Sequence, residues 1–216
     1  MNLQIGNTCF AHSVEGEGIP VVFLHAGVAD RRMWLNQIEL VASLGYRAIA
    51  YDRRGFGGTN CDPAEGFSHV EDLEAVLDRL GSGSVILVGC SQGGRIVIDF
   101  ALKNPDRAIA LVLVSSAVSG TPAEVEYPDD YQPLIAAFDI AEEMDDTDML
   151  NKVEAHAWLD GPGTAGSRVT GPLRELFLDM NGIALRHREL TGEEEPPVAW
   201  DRLSGLSQPA MLISGA

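Results

Sequence analysis

The pentapeptide Gly89-Cys90-Ser91-Gln92-Gly93 sets one hydroxyl between two glycines at a spacing that suits a sharp turn. A serine hydroxyl is a weak nucleophile. It becomes useful when a turn exposes it, a base can take its proton, and N–H donors await the charge that develops on an attacked carbonyl oxygen. Ser91 is the candidate nucleophile. The backbone N–H of Gln92, at the start of the following helix, is the first candidate oxyanion donor, with the helix dipole in its favour. The second is expected from the loop after an earlier strand, His25-Ala26-Gly27-Val28, where Gly27 can bring its N–H close to a ligand. The alternative for Gly27 is a glycine needed only for its backbone φ. His25 is read as ordering that turn rather than moving protons.

These groups meet only if regular elements carry them. Pro20 to Leu24, Tyr46 to Tyr51, Ser84 to Val88 and Ala110 to Val114 are short, continuous apolar runs, the pattern of strands buried on both faces. Between them lie helical spacings. Asp30 caps a helix over Arg31 to Leu44 that Gly45 ends. Ser68-His69-Val70-Glu71 has the SxxE form of a capping box and opens a helix that Gly81 closes. A third runs from about Gly93 to Lys103, where Asn104-Pro105 breaks it, and Gly93-Gly94 lets it pack closely. Strand, helix, strand in this texture predicts an α/β fold with a mostly parallel sheet covered by helices on both faces.

The segment 1–120 therefore reads as the first part of a core. Short helical patterns broken by Pro, Gly and acidic residues mark 121–206 as an insertion over the sheet, and Pro209 to Ile213 resumes the buried-strand texture in 207–216. Two rivals for the turn at Ser91 fail. Gly89 and Gly94 have the GxxxxG spacing of a phosphate loop, but Arg95-Ile96 stands where Lys and Ser/Thr would be needed, and no GxGxxG follows the first strand. No metal site is expected. Glu142, Glu143, Asp145, Asp146 and Asp148 lack EF-hand spacing and read as a solvated face, while Cys9, Cys61 and Cys90 have neither zinc spacing nor a disulfide framework.

A formal charge of −17 over 216 residues leaves no basic stripe for nucleic acid or an anionic membrane surface, so neither is expected as a partner. The first residues lack a charged-then-apolar leader, and no apolar run approaches the length that spans a bilayer. A cytoplasmic protein is the expectation.

Taken together, His25-Ala26-Gly27, Asp52-Arg53-Arg54-Gly55-Phe56-Gly57 and Gly89-Cys90-Ser91-Gln92-Gly93 resemble the oxyanion loop, the DxRGxG loop and the nucleophile elbow of the α/β-hydrolase superfamily, in that family's order. Ala26 departs from the usual Gly. The resemblance implies that 121–206 is a helical cap. It also implies a triad order of nucleophile, acid, histidine, with Pro209 to Ile213 as the strand before the acid. The acid and the histidine are then expected beyond Ala216, along with the final strand and helix. Ser115 to Ser119 offers no carboxylate in the alternative acid position, and His12, His69, His156 and His187 read as surface or packing residues.

The activity so implied is hydrolysis of a small-molecule carboxylic ester or lactone through an acyl-enzyme on Ser91, with no cofactor. Serine at the elbow, where haloalkane dehalogenases and epoxide hydrolases place Asp, argues against those chemistries. The alternatives are a non-catalytic binding protein on the same fold, and a C–C bond hydrolase or perhydrolase. An uncovered edge at Pro209 to Ile213 predicts low stability or self-association of the 216-residue chain.

Overall fold

The computed structural model describes residues 1–122, 128–161, 163–187, 190 and 192–215. Its seven strands are β1 (Asn2–Ile5), β2 (Thr8–Glu15), β3 (Pro20–Leu24), β4 (Arg47–Tyr51), β5 (Val85–Cys90), β6 (Ala108–Val114) and β7 (Ala210–Ile213). They form one sheet in the order β1-β2-β4-β3-β5-β6-β7. The pairings of β2 with β1 and β4 are antiparallel, and every pairing from β4 through β3, β5 and β6 to β7 is parallel.

Helices α1 (Leu35–Ser43), α2 (His69–Arg79) and α3 (Gln92–Lys103) supply the crossovers between the parallel strands. Because successive side chains leave a strand on opposite faces, each apolar run feeds two cores. Val22 and Leu24 of β3, Ile49 and Tyr51 of β4, and Val85 and Leu87 of β5 pack with α2 and α3. Their neighbours Val21, Phe23, Ala48, Ala50 and Val88 pack on the other face with Trp34 and Ile38. That double burial is why these strands read as continuous rather than alternating.

The helix starts follow from their caps. Asp30 accepts from the Arg32 N–H and begins a 3-10 turn, Arg31–Trp34, that leads into α1. Ser68 Oγ accepts from the Glu71 N–H at 3.4 Å, the forward half of a capping box. Its reverse half is replaced, because the Glu71 carboxylate meets Lys103 of α3.

Between β6 and β7 the described elements are helical: α4 (Gln132–Glu143), α5 (Thr147–Ala155) continued by a π turn (His156–Asp160), α6 (Pro172–Arg186) and a 3-10 turn (Trp200–Gly205). Ala141, Leu150 and Leu185 join α4, α5 and α6 in a small core of their own. Met180 and Leu176 of α6 pack onto Ala26 and Ala29 of the loop after β3, and Asp179 pairs with Arg32 at 2.7 Å.

One expectation is corrected here. The texture of Pro209 to Ile213 reads as a buried strand, yet β7 lies at the sheet edge with all four residues exposed, Leu212 at 78%. Its register with β6 (Leu111 to Val114 opposite Ala210 to Ile213) supplies one hydrogen-bonded side, and no described strand pairs with the other.

Backbone packs closely against backbone where α3 meets the sheet. A Cβ on Gly93 would sit 2.4 Å from the Leu24 carbonyl oxygen and 2.6 Å from that of His25, both backbone atoms that cannot step aside. Gly93→Ala is therefore expected to cost about 2 kcal/mol or more by urea denaturation; a loss below about 0.5 kcal/mol, the range of ordinary surface substitutions, would contradict this packing.

Candidate active site

Ser91 occupies the apex between β5 and α3 with φ 51 and ψ −116, a region that non-glycine residues rarely enter. Backbone hydrogen bonds hold it there. Its N–H donates to the Val114 carbonyl at 3.0 Å, and its own carbonyl accepts from Arg95 and Ala117, each at 3.1 Å. The glycines make the turn sterically feasible: a Cβ on Gly89 would meet the Gly93 carbonyl oxygen at 2.5 Å, and one on Gly94 would meet Ser116 Oγ at 2.3 Å. Gln92 opens α3, so its N–H is among the amides that have no acceptor within the helix.

Gly27 follows β3 and faces Gln92 across the site; a Cβ there would lie 3.1 Å from Gln92 Oε1. Its φ is not positive, so the reading of Gly27 as a purely conformational glycine finds no support. Ser91, Gln92 and Gly27 line one cavity of about 780 Å³. Leu173, Leu176, Phe177 and Met180 of α6, with Trp158 of the π turn, contribute apolar wall. These α6 positions follow the i, i+3, i+4, i+7 spacing of one helix face. That stripe is legible in the sequence, although nothing in it says that it faces a cavity. Arg32 also reaches the wall, with its guanidinium engaged by Asp30 and Asp179.

Beneath the loop after β3 lies a buried polar layer. The Arg53 backbone N–H donates to His25 Nε2 at 3.1 Å, and a backbone N–H can only donate. Nε2 is therefore the acceptor, the imidazole is neutral, and Nδ1–H donates to the Ala26 carbonyl at 2.8 Å. Burial, reinforced by the Arg53 charge, holds the His25 pKa well below 6.5. His25 thus orders its turn. The Arg53 side chain, 1% exposed, was not singled out by its position in the motif, because the sequence does not distinguish it from Arg54. Arg54, also mostly buried, pairs instead with Asp72 and Glu65.

Asp52 closes the loop that carries both arginines. Its carboxylate accepts from the Gly58 and Arg31 N–H groups at 2.8 Å and pairs with the Arg31 guanidinium.

Ser91 Oγ makes no hydrogen bond to a described residue, and neither histidine nor carboxylate lines the cavity among the described residues. His12 lies on β2, and His156 borders a separate groove beside α4 and α5. His69 and His187 line a smaller cavity of about 300 Å³, of mixed polar and apolar lining, that also touches Gly27 and Gln92. No group of three or more metal-ligating side chains occurs among the described residues. No described helix is long and apolar enough to cross a membrane.

Comparison with known proteins agrees with the fold. The family model described as alpha/beta hydrolase fold matches residues 19–139. The chain belongs to the alpha/beta hydrolase fold family. Among curated relatives, epoxide hydrolase 2 of Siraitia grosvenorii is 37% identical over 124 residues, 56% of this chain and 39% of its own length. The match thus spans well under half of that relative. Among solved structures, an esterase from Exiguobacterium antarcticum superposes with a TM-score of 0.73 at 21% identity, covering 95% of this chain and 76% of that one. The enol-lactonase from Burkholderia xenovorans LB400 gives 0.69 at 19%, covering 100% and 81%. At these identities the likeness is one of fold.

The neutral buried histidines make a stability prediction. Burial, followed by the charge of Arg53, also holds His69 well below 6.5. Unfolding exposes both rings, so below pH 6.5 the unfolded chain binds more protons than the folded one. Stability then falls with pH by about 1.4 kcal/mol per pH unit for each proton taken up. Buried Asp72 and Asp99, whose pKa values are raised, act in the opposite sense as pH falls towards 3.8. The urea midpoint is accordingly expected to drop between pH 7 and pH 5; a flat profile over that window would contradict neutral burial.

Proposed function

We propose that this protein hydrolyses carboxylic esters or lactones bearing an apolar acyl group, through an acyl-enzyme on Ser91. The observation that carries the reading is the convergence of a strained, cavity-facing serine with the Gln92 and Gly27 backbone in one apolar chamber. Ser91 Oγ attacks the carbonyl, the Gln92 and Gly27 N–H groups hold the tetrahedral oxyanion, and the alcohol leaves as its oxygen is protonated. Water then attacks the acyl-enzyme through the same oxyanion and restores Ser91. No metal or organic cofactor enters these steps.

The steps need a general base, and no described residue offers one to Ser91 Oγ. The reading requires that base, a histidine, and its carboxylate partner from outside the described residues. The helices between β6 and β7 act as the cap that selects substrate, with α6 supplying its inner face. Three cysteines without disulfide partners suit a cytoplasmic setting.

The epoxide hydrolase relative invites a different chemistry, which Ser91 disfavours. A carboxylate that opens an epoxide leaves an ester that water can cleave, whereas a serine would leave an ether with no carbonyl for water to attack. Acyl transfer is the reaction in which a serine at this turn can be regenerated.

Two measurements on the protein expressed from its full reading frame test this. Ser91→Ala is expected to abolish labelling by a fluorophosphonate probe and to lower kcat by about 10⁴-fold or more; equal labelling would remove Ser91 as the nucleophile. The apolar wall predicts that 4-nitrophenyl butyrate outpaces the charged 4-nitrophenyl hemisuccinate by at least about tenfold in kcat/KM, since a buried carboxylate without a partner is costly. Equal rates would contradict the substrate class.

A further inference from the structure

Arg53 is a cation placed where a cation is expensive. It is 1% exposed, and among the described residues it makes no ion pair and its Nε has no hydrogen-bond partner. Burial pushes its pKa down to about 10, so it stays charged near neutral pH. Such a group raises the free energy of the fold unless its hydrogen bonds and its charge are used.

Those hydrogen bonds converge on the Gln92 side chain and on the carbonyls of His25 and Ala26, just before Gly27. One terminal nitrogen, Nη2, donates to the Ala26 carbonyl at 3.2 Å and to the His25 carbonyl at 3.3 Å. The other, Nη1, donates to Gln92 Oε1 at 2.9 Å and lies 3.5 Å from His69 Nε2. The guanidinium is stacked 4.4 Å from the Phe56 ring centroid, which fixes its plane. The Ala26 carbonyl belongs to the same peptide unit as the Gly27 N–H, and it also accepts from His25 Nδ1 at 2.8 Å. Two donors on that oxygen, one of them cationic, draw electron density away from the opposite end of the amide and make its N–H a stronger donor.

We infer that Arg53 is a positioning residue for the oxyanion hole: its guanidinium grips the Ala26–Gly27 peptide and the Gln92 side chain together, aiming and polarising the Gly27 N–H from behind. The inference rests on the reading of Gly27 as an oxyanion donor. It assigns a cause to the second arginine-loop element that Asp52 alone does not supply. Asp52 shapes the loop through Arg31 and Gly58, whereas Arg53 carries a positive charge to the back of the site. The network is assembled without substrate, so no reorganisation accompanies charge development.

The test uses the protein from its full reading frame, with Arg53→Lys, Arg53→Gln and the Ser91→Ala control. Both Arg53 variants are expected to lower kcat about tenfold or more while KM stays within about twofold, the pattern of an interaction made in the transition state. The Gly27 amide proton is expected to move upfield in their NMR spectra. Because a buried arginine can be needed for folding, the wild-type protein supplies a second readout: the Ala26 carbonyl ¹³C resonance should lie downfield of alanine carbonyls that accept a single hydrogen bond. Folded Arg53 variants with unchanged kcat and an unmoved Gly27 amide would overturn the inference, as would an ordinary Ala26 carbonyl shift. Ser91→Ala separates the two readings. If that variant keeps its turnover, the acyl-enzyme reading falls, while the two NMR readouts still decide whether Arg53 grips the peptide.

Discussion

Three glycines let two backbones approach where side chains would forbid it, and the site depends on that approach. Gly93 lies against the carbonyls of Leu24 and His25, Gly89 against the turn of α3, and Gly94 against Ser116. The N-terminus of α3 is thereby pressed into the space between the ends of β3 and β6. The loop after β3, which carries Gly27, is brought to the same place because β3 and β5 are hydrogen-bonded neighbours in register, with Leu24 opposite Gly89. The positive φ of Ser91 is the conformational cost of making this turn in one residue, offset by the backbone hydrogen bonds to Val114, Arg95 and Ala117.

Electrostatics then follow from burial. Burial beneath the loop after β3 keeps His25 neutral, and the Arg53 guanidinium forms no ion pair among the described residues there. In front, α6 and the π turn supply an apolar wall, and they are attached to the loop by the packing of Met180 on Ala26 and Ala29 and by the Arg32 to Asp179 pair. On the proposed acyl-enzyme reading, a developing negative charge would meet the Gln92 and Gly27 N–H groups beside this apolar wall.

The parts that the sequence made legible are those governed by local rules. Continuous apolar runs gave the parallel strands because both of their faces are buried, and Asp30 and Ser68 marked helix starts because a side-chain oxygen there satisfies an otherwise unpaired N–H. What stayed hidden depends on contacts between distant segments. Which arginine reaches the loop after β3 is decided by Gln92 and Ala26 on one side and Asp72 on the other. The face presented by Leu173, Leu176, Phe177 and Met180 depends on where α6 docks. The exposure of β7 depends on its place in the strand order, which its own four residues do not encode.

The central claim is geometric: Ser91 and the N–H groups of Gln92 and Gly27 form one preorganised site. A crystal structure of the protein after reaction with an alkyl phosphonate tests it most directly. The account predicts phosphorus bonded to Ser91 Oγ, its phosphoryl oxygen within about 3 Å of both the Gln92 and Gly27 nitrogens, and its alkyl chain against α6. An adduct on another residue, or a phosphoryl oxygen turned away from Gly27, would contradict it.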